Sequence, residues 1–132
     1  MKKLQFTLAA LAAATLFTVS CGQNDPLSPY QPEINNATDT FEFQITAARN
    51  LDHSENYTWR NTGTQATINQ ACAITGGSAT ITISDSTGSV LYTRNLADNG
   101  TFQSSTGLAG PWTIRVVFSS LDGTINFRAQ RL

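Results

Sequence analysis

Hydrophobic and polar residues alternate along most of the chain after residue 39. In the segment TFEFQITAA, Phe41, Phe43 and Ile45 are separated by polar residues. Because successive side chains of a β-strand point to opposite faces, this period of two is typical of a strand with one buried face. The other segments of this kind are YTWRN, ATINQACAI, SATITIS, PWTIRVVFS and TINFRAQ, with the less regular SVLYTRN and a short strand around residues 101–104.

These segments predict one all-β domain over residues 40–132. Seven to eight short strands separated by turn residues are typical of a small antiparallel β-sandwich, either jelly-roll or immunoglobulin-like. No segment has the sustained 3.6-residue period of a helix. Trp59 and Trp112 both fall on inward positions, and the inward set is large enough to form a core without disulfides.

Two turn signals predict which strands pair. A two-residue turn at Asp122-Gly123 is a strong hairpin signal, and it places Phe118 opposite Phe127. Both of these phenylalanines already lie on inward positions, so the turn and the alternation agree. A turn at Thr62-Gly63 predicts a second hairpin between YTWRN and ATINQACAI.

The start of the chain has a different pattern. Lys2 and Lys3 precede an apolar stretch over residues 4–19, which closes on Ser20 and Cys21. A positive start, a short apolar region and small residues at its end predict a secretory signal peptide over residues 1–20. The apolar stretch, about 16 residues long, is short for a membrane-spanning helix, which needs roughly 20.

The sequence TVSC at residues 18–21 resembles the lipobox of bacterial lipoproteins, although Thr18 stands where that family usually has leucine. The resemblance implies that Cys21 is diacylated, by palmitate-type chains, and becomes the new N-terminus. Two or more acyl chains are enough for stable anchoring. Because Gly22 follows in place of aspartate, the resemblance implies the outer membrane of a bacterial cell envelope. The alternative is a secreted protein in which Cys21 is an ordinary thiol.

Residues 21–39 are predicted to be a lipidated N-terminus followed by a flexible tether. This segment contains Pro26, Pro29 and Pro32 among asparagine, glutamine and aspartate residues. Proline fixes φ and removes a backbone donor, so the segment favours an extended linker. Residues 22–39 would span at most about 60 Å when fully stretched.

Charge excludes one class of partner. After residue 20 the chain has six arginines and no lysine against nine acidic residues, so its balance is negative. A phosphate backbone requires a basic surface, and we therefore expect no nucleic-acid partner. The partners expected instead are the membrane, through the lipid anchor, and a carbohydrate or envelope protein.

Candidate catalytic chemistry is sparse. The single histidine, His53, lies in NLDHSEN and is predicted to be a solvated loop residue, because Asp52 and Ser54 beside it cannot converge as a triad. The sequence shows no metal-ligand spacing, and it predicts neither an enzyme nor a cofactor. A calcium ion held by loop oxygens is the alternative.

Cys72 is predicted to be a small hydrophobic residue within a strand. If Cys21 carries a lipid, Cys72 has no partner in the chain, since these are the two cysteines of the sequence. The alternatives are a reactive thiol, an intermolecular disulfide or, without lipidation, a disulfide between residues 21 and 72.

A candidate binding loop is predicted around residues 97–110, which overlaps the glycine-rich stretch DNGTFQSSTGLAGPW of residues 98–112. Phe102, Asn99 and Gln103 are its candidate ligand-binding residues, because sugar binding uses aromatic faces and polar side chains together. The function predicted is a non-catalytic binding or interaction module. A structural subunit of an envelope assembly is the alternative, and a hydrolase is the least favoured function.

The order GSATITISDSTGSVLYTRNL … GPWTIRVVFSSLDGTINFRAQ resembles small jelly-roll modules of exported bacterial proteins, including the prepeptidase C-terminal type. The resemblance covers roughly residues 40–132 and implies the same sandwich architecture. The acidic pair that those modules often carry before the central hairpin is absent from this chain, so the resemblance does not extend to a calcium site.

Overall fold

The computed structural model describes residues 25–132, which form seven strands and one short 3-10 turn. The turn is Ser28–Tyr30, and the strands are β1 (Glu33–Ala37), β2 (Thr40–Asn61), β3 (Ala66–Gln70), β4 (Ala73–Ser84), β5 (Val90–Asn95), β6 (Gly100–Gln103) and β7 (Gly110–Arg131). No helix within these residues is long and apolar enough to cross a membrane. The predicted signal peptide and Cys21 lie outside the described residues.

The prediction of a small all-β sandwich is confirmed. β2 and β7, each 22 residues long, pair antiparallel along their whole length and bend together near their middle. Half-sheet A consists of β1, residues 40–45 of β2, residues 125–131 of β7, β3 and β6. Half-sheet B consists of residues 51–61 of β2, residues 110–121 of β7, β4 and β5. The bend folds one half over the other.

The hydrophobic core lies between the two half-sheets and uses the inward positions predicted from the alternation. Phe43 of half-sheet A stacks on its neighbour Phe127, and its ring centroid lies 6.2 Å from that of Phe118 in half-sheet B. Trp59 and Trp112, predicted to be core residues, are fully buried, and their rings meet edge to face at 5.8 Å. Aromatic packing therefore joins the two layers.

The predicted hairpin at Asp122 and Gly123 is wrong, because both residues lie inside β7 at the bend. Phe127 pairs with a residue of β2 and not with Phe118. Gly123 has a φ of 142°, and the Asp122 carboxylate accepts a 2.8 Å hydrogen bond from the backbone N–H of Asn50. The register shifts on both sides of this point, as expected where β-bulges bend a strand. The Asp-Gly pair therefore forms a corner between layers.

The predicted hairpin at Thr62-Gly63 is also wrong. Trp59 pairs with Trp112, and Ile68 pairs with Ala129, so both β2 and β3 lie beside β7 and not beside each other. The physical reason is that the turn crosses from half-sheet B to half-sheet A. The inward side chains of the two strands meet across the core, so both strands show the alternating pattern although they do not form a hairpin.

The segment ATINQACAI is divided into two strands, with a break after Gln70. Gln70 departs from the alternation and yet is buried, where its Oε1 accepts a 2.6 Å hydrogen bond from the Tyr92 hydroxyl. Cys72 is a buried free cysteine, and its Sγ accepts a hydrogen bond from the N–H of Asn126. Burial raises the pKa of the Tyr92 phenol and that of the Cys72 thiol.

The flexible tether predicted for residues 21–39 is wrong from Asp25 onward, because residues 25–39 belong to the folded domain. Leu27 is 2% exposed and joins the core, and the Tyr30 hydroxyl donates a hydrogen bond to the backbone oxygen of Arg49. Further along, β1 pairs with β2. The prolines do not prevent this, because Pro32 immediately precedes β1 and leaves the strand's own donors intact.

Candidate functional site

The three predicted ligand-binding residues have different orientations in the structure. Phe102 lies on the inward side of β6, half-buried, with its ring 6.5 Å from that of Tyr92. The guanidinium carbon of Arg94 lies 3.8 Å from the Phe102 ring centroid, a cation–π contact. Phe102 therefore closes the side of the sandwich between β5 and β6.

Asn99 and Gln103 do not join Phe102 in one cluster. The Asn99 side chain accepts a 2.8 Å hydrogen bond from the N–H of Cys72 and donates a 3.0 Å bond to the Cys72 carbonyl. The Asn99 amide thus makes the two backbone hydrogen bonds that a neighbouring strand would otherwise make to Cys72, in the break between β3 and β4. Gln103 is exposed and pairs with Thr67 on the opposite face from Phe102. A ligand-binding role for these residues stays a prediction.

The remainder of the candidate loop is held by a buried carboxylate. Asp85 is 6% exposed, and its Oδ2 accepts a hydrogen bond from the backbone N–H of Leu108, while Oδ1 accepts bonds from the hydroxyl and the N–H of Thr87. These hydrogen bonds stabilise the carboxylate and lower the pKa of Asp85 to about 2, and the bond from the Thr87 hydroxyl contributes most. The glycine-rich stretch is therefore fixed to the turn that precedes β5.

A sugar stacks on exposed aromatic rings, but the following rings of the strands and of the candidate loop are all buried or half-buried: Tyr57, Trp59, Tyr92, Phe102 and Trp112. Burial raises the pKa of Tyr57 to about 12, because the phenolate would lose its hydration. The large hydrophobic side chains that are exposed within residues 25–132 are all aliphatic: Ile34, Val90, Leu108 and Leu132. An aromatic platform is thus absent from this part of the chain.

His53 lies in strand β2, and its predicted loop position is wrong. Its Nε2 is 2.7 Å from a carboxylate oxygen of Glu55, two residues further along on the same face. Ser54, between them, points to the opposite face because side chains alternate along a strand. Within residues 25–132, no three histidine, cysteine, aspartate or glutamate side chains are grouped so that they could hold a metal ion.

A shallow groove of about 370 Å³ crosses the outer face of half-sheet A. Its floor is the backbone of Ile34, Phe43 and Phe127, which are neighbours in register on three adjacent strands. One wall consists of Glu33, Gln44 and Asn126, and the other consists of Asn35, Glu42 and Arg128. From strand geometry, the walls are about 7 Å apart and the groove is about 10 Å long.

The walls carry polar groups that are available to a ligand. Glu42 and Arg128 form an ion pair, with 3.1 Å between Oε2 and Nε, and both side chains are about half exposed. The amides of Asn35, Gln44 and Asn126 make no side-chain hydrogen bond to another residue of the range 25–132. Each amide offers two donors and an acceptor. The groove therefore combines an ion pair with three amides that have no side-chain partner among the described residues.

Sequence reasoning placed part of this groove correctly but did not find the site. The alternation put Glu42, Gln44, Asn126 and Arg128 on outward positions, and the structure has them there. It missed β1, whose residues are all exposed and show no alternation of burial. The one sequence signal for β1 is the pattern around Ile34, a single apolar residue among polar ones.

No protein-family model matches the chain, and the search of curated proteins found no similar sequence. Function is therefore inferred from the N-terminal sequence, the fold and the groove.

Proposed function

We propose that this protein is a lipid-anchored component of the bacterial cell envelope, at the outer membrane, and acts there as a non-catalytic binding module. The anchor is supported by the signal-peptide pattern and by the likeness of residues 18–21 to a lipobox. The binding role is supported chiefly by one observation, the groove across β1, β2 and β7. Ligand sites are concave and use a few well-placed polar groups to fix orientation.

The chemistry of the groove favours a neutral, hydroxyl-rich ligand, and hence a saccharide. Free amides on both walls match hydroxyl groups, which donate and accept hydrogen bonds in the same way. Glu33 and Glu42 outweigh Arg128, so the charge of the groove is negative and disfavours phosphates and carboxylates. The absence of an aromatic ring from its walls predicts weak affinity that depends on the amides.

Calorimetric titration of the full chain, purified in detergent, with neutral hexasaccharides tests this role. Cellohexaose, chitohexaose and maltohexaose are suitable probes. We expect one of them to bind, and the substitutions Gln44→Ala and Asn126→Ala each to weaken binding by about tenfold, the effect of losing a hydrogen bond of about 1.4 kcal/mol. Asn56→Ala, on the outer face of half-sheet B, is the matched control and should bind as the unchanged chain does.

A binding constant that is unchanged in both groove variants would contradict the assignment of the site. Failure of all three hexasaccharides to bind the unchanged chain would contradict the choice of ligand class.

A structural role in an envelope assembly is the second candidate. It is favoured by the open edge of β1, which pairs with β2 on one side only within the described residues. Unpaired backbone groups at such an edge can accept a strand from another chain. Native electrophoresis of detergent extracts separates the candidates, since an accessory subunit should migrate in a complex larger than itself.

A further inference from the structure

The N-terminal segment is fixed to one side of the sandwich, beside β1 and β2. Leu27 is buried in the core, and its backbone N–H donates a 3.0 Å hydrogen bond to the Asp25 carboxylate. Tyr30 is bonded to the backbone of Arg49 in β2. From Asp25 onward the chain is therefore part of the folded domain.

This attachment shortens any tether between Cys21 and the domain. The covalent chain from residue 21 to residue 25 spans at most about 14 Å, because each residue adds no more than about 3.6 Å. A domain of roughly 100 residues has a radius of gyration of about 13 Å and so is wider than this tether is long. Such a domain cannot present all of its sides to the membrane equally.

We propose that the side of the sandwich formed by Asp25, Tyr30, the open edge of β1 and the bend of β2 is a membrane-apposed surface, held against phospholipid headgroups by the acylated Cys21. The groove lies on the adjacent outer face of half-sheet A. This inference rests on the lipid anchor of the proposed function. The opposite side, closed by Phe102 and Arg94 between β5 and β6, then faces away from the bilayer.

The charges on the apposed side indicate which lipids it meets. Asp25 and Glu33 are exposed acids and Arg49 is an exposed base, so this side has no basic cluster that would attract anionic lipid. We therefore infer a zwitterionic surface such as phosphatidylethanolamine. Apposition would also cover the open edge of β1, which carries neither lysine nor an internal proline as protection against strand addition.

Fluorescence quenching on vesicles tests the orientation. The full chain, acylated in bacteria, carries one labelled cysteine, introduced by Ser28→Cys on the proposed membrane side or by Ala97→Cys on the far side. Both positions are exposed, whereas Cys72 is buried, and the unsubstituted chain serves to show that Cys72 takes no label. The vesicles contain phosphatidylethanolamine, phosphatidylcholine and a headgroup-labelled quencher lipid.

We expect the label at residue 28 to be quenched several-fold more strongly than the label at residue 97. Glu33→Cys and Asp98→Cys form a second pair, which should repeat the difference if one labelled variant folds poorly. Insertion of about 12 Gly/Ser residues after Gly22 lengthens the tether and should reduce the difference. Equal quenching on both sides of an acylated protein would overturn the apposition alone. An unacylated Cys21, found by mass spectrometry, would overturn the anchor and the apposition together.

Discussion

Replacement of Gly123 by alanine is expected to lower the free energy of unfolding by about 3–4 kcal/mol, from backbone strain and overpacking together. At this residue φ is 142°, a conformation that side chains other than glycine rarely adopt. A Cβ there would lie 2.3 Å from the carbonyl oxygen of Ala73 and 2.8 Å from the Cα of Ile74. These are backbone atoms of β4, so a change of rotamer cannot relieve the contact.

Gly88→Ala is the matched control for this experiment. Gly88 also has a positive φ, of 90°, but nothing lies within 4 Å of the position of a Cβ. Gly88→Ala should therefore lower the free energy of unfolding only by the conformational penalty of about 1–2 kcal/mol. Urea unfolding of both variants measures the difference. If Gly123→Ala is no more destabilised than Gly88→Ala, β7 does not pass through the bend beside β4 as described.

Replacement of Phe43 by alanine is expected to cost about 3–5 kcal/mol, the usual range for a buried phenylalanine. Phe43 is 1% exposed and lies against aromatic rings of both layers, including Phe127 at 5.3 Å and Phe118 at 6.2 Å between centroids. Removal of its ring leaves a cavity between the half-sheets that the rigid strands around it cannot fill.

Phe102→Ala is the control for the core substitution, because it removes the same ring from a half-buried position at the side of the sandwich. It gives up part of the burial of one side chain and the contact with Arg94, together about 1–2 kcal/mol. In thermal unfolding, Phe43→Ala should have a clearly lower Tm than Phe102→Ala. Equal destabilisation would mean that the half-sheets do not pack through Phe43.

The division into inward and outward residues could be predicted from the sequence because alternation is a local property of strands. Phe41, Phe43 and Ile45 fall on the inward positions of the alternation and are buried in the structure. The choice of partner strand is not local, and there the prediction failed. Phe118 and Phe127 both face the core, as a hairpin between them would require. They also face the core in the observed fold, where Phe127 stacks on Phe43 within half-sheet A and Phe118 stacks on it from half-sheet B.

The Asp-Gly signal failed for a related reason. A hairpin turn and a bulged corner need the same freedom of the backbone at Gly123, so the residue pair does not distinguish between them. Tertiary contacts fix the corner, among them the hydrogen bond from the Asn50 N–H to the Asp122 carboxylate. The strands that meet in this bond are far apart in the sequence.

The groove was only partly predictable. Alternation gave the outward direction of Glu42 and Arg128, but their ion pair depends on the register of β2 with β7. Glu33 in one wall and Asn35 in the other both belong to β1, which the prolines in the preceding segment made hard to recognise as a strand. An exposed edge strand has little burial pattern, since neither of its faces is covered.

The claim that the folded domain is held at a membrane through Cys21 is tested most directly by mass spectrometry of the protein purified from bacterial membranes. We expect an N-terminal peptide that starts at Cys21 and carries the mass of a diacylglyceryl group, with residues 1–20 removed. A peptide in which Cys21 is unmodified, or in which the leader is still attached, would contradict it.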